Sequence, residues 1–429
     1  MNGPISILDF VKRYSLLPEA KIGIAAGLSG FGQIAMIFIP TGTMEIGSLA
    51  DLILWQSLSA GFGIFISGVI GTLAFSVFVA GDNQPQEAKF STMLLNIFTI
   101  VFFLAVALTI ICIFVFDVSV IFYAMSLFAS LFLYLFAAIQ RSFYSARGYW
   151  APLTAQFALD GALRTTAVIY VTWKFEGSVL ALIAVSLLSQ LISVLLVSIW
   201  SPWWTGISKR KIGIANFVKE LMPLTSTTFG SLLLTTFPPV LLELAGSPLL
   251  LVASLGILVV LARIPTTLIS PVVFPQIRQV CKHYLDGDAR AGFRVVNQTN
   301  MKLALVSVVT FAIMWLSITS TLSIKALDSL SKTLQGSGLV MTTLLAIFAL
   351  LLVLESFANS CVNGQGRFIE SGKIYLYSSV AWISILIVTI STISESLLTT
   401  LSALVFGVAL VLVQLINRLR PINSNKSVS

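Results

Sequence analysis

The chain is divided into apolar runs of about 20 residues, the length a helix needs to cross the hydrocarbon core of a bilayer. No other feature of the sequence constrains the fold as much. Candidate spans lie near 22–42, 52–79, 91–115, 119–140, 151–173 and 178–200, and a second series lies near 216–242, 248–273, 300–322, 338–360, 374–393 and 397–417. The predicted class is an all-α integral membrane protein with about 12 transmembrane helices in two sets of six. Composition agrees: 57% of the 429 residues are hydrophobic, only 10% are charged, and mean hydropathy is +0.99. About a quarter of a soluble domain is charged. Seventeen acids and one histidine leave little material for a soluble catalytic domain.

The formal net charge of +8 does not point to nucleic acid, because the basic residues recur in short clusters between apolar runs instead of gathering on one face. Their distribution sets topology. With the N-terminus inside, the cytoplasmic connections hold twenty of the 25 Lys and Arg residues, among them Lys12, Arg141, Arg147, Lys209, Arg294, Arg367 and Arg420. Lys174, Lys325 and Lys332 face the other side, and Arg164 and Arg263 fall inside spans. Both termini are therefore expected in the cytoplasm. Trp150, Trp200, Trp203 and Trp204 on the inner side and Trp173 on the outer side stand where interfacial belts are expected. Cys112, Cys281 and Cys361 have no metal-type spacing and read as reduced packing residues. Asp9 and Glu19 interrupt the N-terminal segment, which does not read as a cleaved signal.

The domain boundaries expected are 1–200 for a first lobe, 201–215 for a cytoplasmic linker and 216–429 for a second lobe. The connector 274–299 has Ile277, Val280, Cys281 and Tyr284 at helical spacing with basic residues between them, which suits either a short helix on the membrane face or a solvated connector. A weak repeat links SFYSARGYWAP at 142–152 to SCVNGQGRFIE at 360–370, an offset of 218 residues. Six crossings restore the original direction, so two such halves are parallel repeats.

These features together resemble the multidrug/oligosaccharidyl-lipid/polysaccharide (MOP) exporter superfamily, and within it the polysaccharide branch of O-antigen and exopolysaccharide flippases. The residues that carry the likeness are the six-plus-six layout, the turn from Arg141 to Trp150, its counterpart from Asn363 to Phe368, and the segment 260–292 with Pro271, Pro275 and Asp286-Gly287-Asp288. The Tyr-Gly segment usual after the first span of that branch is absent at 41–50. The resemblance implies a V-shaped transporter of the bacterial inner membrane that flips an undecaprenyl-diphosphate-linked oligosaccharide by alternating opening of its lobes. No cofactor, no metal and no chemistry on the glycan are implied, and the expected partners are that lipid-linked cargo, bilayer lipids and a coupling ion, H+ or Na+.

A charge at mid-bilayer costs roughly 2.5–3.5 kcal/mol on insertion scales, so ionisable groups inside spans are the candidate site residues. Asp160 and Arg164 are i, i+4 on the fifth span, with the acid first. They form either a cavity cation with its partner or a self-neutralising ion pair. Arg263 precedes Pro265 by two residues and has no acid one turn away on its own helix. It is a candidate for phosphate recognition, with Asp160 or Glu355 as a structural alternative partner. Glu355 is a candidate coupling site, placed near enough to the helix end to meet water. Asp51 and Glu220 read as solvated span ends, and His283 as a surface residue.

Two other classes compete. A drug/cation antiporter of the same superfamily shares the fold but needs acidic groups in the cavity. A membrane enzyme needs convergent catalytic groups, and the longest outer connection, near 323–337, offers neither length nor histidine. The chain is therefore not expected to be an enzyme.

Overall fold

The structure is a computed structural model that describes residues 18–40, 43–79, 120–147, 149–202, 227–269, 273–321, 338–365, 367–392 and 396–421, together with Thr225. The expected span at 91–115, the linker 201–215 beyond Pro202, Cys112, Glu220, Trp203 and Trp204 lie outside the described residues. No strand occurs among those described. The helices are α1 (Pro18–Phe38), α2 (Ile46–Val79), α3 (Val120–Arg147), α4 (Trp150–Phe175), α5 (Val179–Trp200), α6 (Thr227–Thr235), α7 (Pro238–Leu244), α8 (Leu249–Ile269), α9 (Phe274–Leu285), α10 (Ala289–Thr321), α11 (Gly338–Gly364), α12 (Phe368–Thr392) and α13 (Leu397–Leu419). Seven of them are long and apolar enough to cross a bilayer, or eight if the broken pair α6 and α7 counts as one span. At 26 residues, or about 39 Å, α4 also has the length to cross, and the polar groups on its buried face lower its hydropathy. Exposed residues such as Ile121, Trp173, Leu188 and Ile199 give these helices apolar outer faces suited to lipid.

The chain forms two compact units. The first joins Met1–Thr228 with Thr236–Ile257, and the second joins Phe229–Thr235 with Leu258–Ser429.

In the first unit α2 pairs with α3, α1 with α4, and α5 with both α3 and α4. The α2–α3 seam is a ladder with one rung per helical turn. Trp55 Nε1 donates to Ser126 Oγ at 2.8 Å, Ser59 Oγ and Ser130 Oγ are hydrogen bonded at 2.5 Å, and Gly63 leaves room for the Tyr134 ring. Residue numbers rise together on both sides, so the helices run parallel, as the sequence's placing of one crossing between them requires. The α1–α4 seam depends on small residues. A Cβ on Gly161 would stand 2.4 Å from the Leu28 carbonyl, and one on Gly32 would stand 3.0 Å from Gly161 O. Backbone approach this close is the small-residue packing of membrane helices. At the α4–α5 turn Glu176 takes φ +50° and Gly177 φ +76°, which closes the helix in a left-handed cap.

In the second unit α11 and α12 pack on α13, and α9 packs on α10 and α11. Trp382 is fully buried, and Gly407 of α13 admits it together with Leu234 of α6. Ser379 Oγ donates to Gly230 O at 3.2 Å, which fixes α12 against α6. The offset of 218 residues carries Gly161, where α4 meets α1, onto Ser379, where α12 meets α6. The repeat seen in two turns is thus a repeat of helix packing.

The 274–299 connector does contain a helix, α9, and it is docked on protein. Val280 is fully buried, the Tyr284 ring fills the space over Gly292, and Tyr284 Oη donates to Leu419 O at the end of α13. Burial pushes the Tyr284 phenol up to about 12, so it stays a donor at any ordinary pH. Cys281 and Cys361 are free thiols, in keeping with packing residues, and Cys281 Sγ lies 4.0 Å from Cys361 O.

Gly161→Val is expected to destabilise the protein by about 1–3 kcal/mol, because backbone and not a flexible side chain would have to move. Chemical unfolding in detergent micelles measures it, with Gly47→Ala, at a position where a Cβ meets nothing within 4 Å, as the neutral control.

Candidate functional site

The buried face of α4 carries Leu153, Gln156, Asp160, Gly161, Arg164, Val168 and Val171. Three of these seven are polar or charged, and they lie one turn apart. Asp160 and Arg164 are each 3% exposed. Arg164 Nη2 donates to Asp160 Oδ1 at 2.8 Å, and Ser29 Oγ on α1 donates to Asp160 Oδ2 at 2.7 Å. Both carboxylate oxygens are therefore engaged. The ion pair forms, and its arginine also borders a small cavity within the first unit.

Arg141 departs from the sequence expectation. It was expected in a cytoplasmic connection, but α3 continues through it and leaves it half-buried. Its guanidinium lies 4.2 Å from the centroid of Phe157, and its Nε donates to Gln156 Oε1 at 3.3 Å. Gln156 Nε2 donates in turn to Gln140 Oε1 at 2.7 Å, and Gln140 Nε2 to Ser198 Oγ at 2.9 Å. Tyr144 Oη completes the series by donating to Ser201 O. A continuous polar chain therefore runs from the end of α5 to Arg141, which interacts electrostatically with Asp160 and Arg164. Arg141 follows directly on an apolar run, so a span boundary drawn by hydropathy cuts it off one residue too early.

The cavity is formed by five helices, with Gln33 from α1, Gln56 from α2, Tyr134 from α3, Arg164 from α4, and Ser186 and Gln190 from α5. It has room for about one water molecule. Gln56 Nε2 donates to Gln33 O at 2.7 Å, while Gln56 Oε1 and Arg164 Nε find no partner among the described residues. The Tyr134 hydroxyl lies beside the Arg164 guanidinium in this lining.

The remaining candidates lie elsewhere. Arg263, on α8, is half-buried and belongs to the second unit. Glu355, on α11, was expected near water but is only 5% exposed, and its Oε1 has no partner among the described residues. Asp51, expected to be a solvated end, is half-buried and accepts from Tyr123 Oη at 3.2 Å. His283 is half-buried, and no group of metal-binding residues occurs among those described. Trp150, Trp173 and Trp200 are 37%, 76% and 62% exposed.

No sequence family and no curated protein matches this chain. Solved structures do. An inward-facing multidrug resistance MATE family transporter of the MOP superfamily superposes with a TM-score of 0.65 over 94% of this chain and 96% of its own, at 12% identity. The fold is that of the MATE transporters. An outward-facing multidrug resistance MATE family transporter gives a TM-score of 0.58 over 95% of this chain and 98% of its own, at 14% identity. A eukaryotic MATE transporter gives 0.60 over 95% of each chain, also at 14% identity. This likeness is to MATE transporters, whereas the sequence resemblance pointed to the flippase branch of the same superfamily.

Removing one partner of a buried ion pair leaves a charge uncompensated and costs about 3–5 kcal/mol. Asp160→Asn should destabilise by that amount, and Asp160→Asn with Arg164→Gln should recover most of it. Unfolding curves in detergent measure both. Equal instability of the single and double variants would mean that Arg164 does not depend on Asp160.

Proposed function

We propose that this chain is an ion-coupled secondary transporter that exports amphipathic organic molecules, in the manner of the drug antiporters. The observation that supports this reading most is the likeness to MATE transporters, in inward-facing and outward-facing forms, across 94–95% of the chain. In this reading the protein resides in a bacterial inner membrane with both termini in the cytoplasm, and it is a carrier, not an enzyme.

The flippase reading ranks second. It needs cationic groups for a lipid diphosphate, and Arg164 is buried and held by Asp160. Arg263, half-buried on α8, is the other intramembrane arginine it would draw on.

Glu355 is the coupling candidate. A carboxylate buried with an unmatched oxygen needs an accompanying cation or proton, because an isolated buried charge is very costly. Binding and release of that ion at Glu355 would couple a gradient to transport.

The deciding measurement uses the purified chain in proteoliposomes with an imposed proton or sodium gradient. Uptake of an amphipathic dye such as ethidium should depend on the gradient, while a fluorescent undecaprenyl-diphosphate oligosaccharide should stay in its leaflet. Translocation of the lipid-linked glycan without dye transport would overturn the proposal in favour of the flippase, and Arg263→Ala should then impair that translocation. Under the proposed function, Glu355→Gln should slow gradient-driven uptake at least tenfold yet leave dye counterflow near its original rate. Equal loss of both would remove Glu355 from coupling.

A further inference from the structure

We infer that the cavity among α1 to α5 is a binding site for a monatomic anion, with chloride the natural occupant. The inference concerns binding alone and stands whether the exported cargo is a drug or a glycolipid.

Charge comes first. Arg141 and Arg164 bring two cations into this interior, and Asp160 brings one carboxylate. Both Asp160 oxygens are already engaged, one by Arg164 and one by Ser29. Asp51 lies one turn before Trp55 of the lining, about 6 Å along α2. It is held there by Tyr123. Among the described residues Arg164 is the charged side chain in the lining itself, and in a low-dielectric surround its unshared donor attracts an anion.

The lining is consistent with that sign. Arg164 is 3% exposed, its side chain borders the cavity, and its Nε proton has no acceptor among the described residues. A buried donor left unmatched costs about 1–3 kcal/mol, and an anion would remove that penalty with a charge-assisted hydrogen bond. Ser59, Ser130 and Ser186 add hydroxyl groups, and Gln190 adds an amide. One orphan acceptor, Gln56 Oε1, opposes them. A cation would need several oxygen ligands with negative charge among them, and among the described residues no carboxylate stands in the lining. The room available, about one water molecule, limits the ligand to a single atom or one close to it in size.

The test is thermal unfolding of the purified full chain in detergent, titrated with sodium chloride, sodium bromide or sodium gluconate at constant total sodium. A ligand bound only by the folded state raises the melting temperature along a saturating curve. The expected result is a saturable rise in chloride and in bromide, with a midpoint on the order of 1–10 mM, and none in gluconate. Tyr134→Phe keeps every charge and removes one hydroxyl from the lining, and it should weaken the halide midpoint about three- to tenfold. Arg164→Lys removes the Nε donor while retaining a cation for Asp160, and it should abolish the halide effect. Should the lysine variant fail to fold, Tyr134→Phe and Ser186→Ala carry the test. Identical melting in chloride and gluconate would overturn the inference and leave a site for water alone. So would a halide effect that all three variants leave intact.

Discussion

A helix that carries a carboxylate and a guanidinium into a bilayer must neutralise them within the protein, and α4 carries both. Each charge left bare at mid-membrane would cost roughly 2.5–3.5 kcal/mol on insertion scales. Much of the first unit follows from that need. Pairing at i, i+4 satisfies Asp160 Oδ1, but Oδ2 needs a donor from another helix, and Ser29 supplies it. Ser29 can reach only if α1 lies almost in backbone contact with α4. Gly161 and Gly32 permit that approach, since a Cβ on Gly161 would stand 2.4 Å from the neighbouring backbone. A polar requirement on one helix is thus met by small residues on two.

The second unit repeats the packing without the chemistry. Shifting by 218 residues carries Asp160 to Ser378 and Arg164 to Trp382, both on α12 and both buried. Gly161 becomes Ser379, which bonds the Gly230 carbonyl of α6. The same face of the corresponding helix is buried in each unit, but an ion pair has been replaced by a hydroxyl and an indole. Helix packing depends on which positions are small or apolar, and many sequences meet that condition. Charge does not have that freedom, because a buried ion requires a specific partner. The titratable group buried in the second unit, Glu355, accordingly arises on a different helix, α11.

This difference explains how much could be read without coordinates. The spans, the all-helical class and the parallel repeat follow from hydropathy and turn chemistry, which are local along the chain. Asp160 and Arg164 were legible as a pair because helical spacing alone brings them together. Arg141 was not, because it follows directly on an apolar run and its partners Gln156 and Phe157 lie on the next helix. The burial of Glu355 was also hidden, since counting residues to a helix end ignores α9, which packs against α11 and α10 at that end. The cavity could not be read at all, because its lining draws on five helices that neither periodicity nor spacing relates.

The distribution of satisfied and unsatisfied groups separates scaffold from site. Along the α2–α3 seam the paired polar side chains are matched turn by turn, Trp55 with Ser126 and Ser59 with Ser130. From Arg141, hydrogen bonds are donated outward through Gln156 and Gln140 to Ser198 near the end of α5. Both series lead towards Arg164, whose Nε lacks an acceptor among the described residues. Orphan buried donors are uncommon because each costs about as much as several good surface contacts contribute. Others occur in this fold, Trp382 Nε1 and Tyr375 Oη among them. Arg164 differs from these in lying beside a cavity as the charged side chain of its lining, the position expected of a group reserved for a ligand.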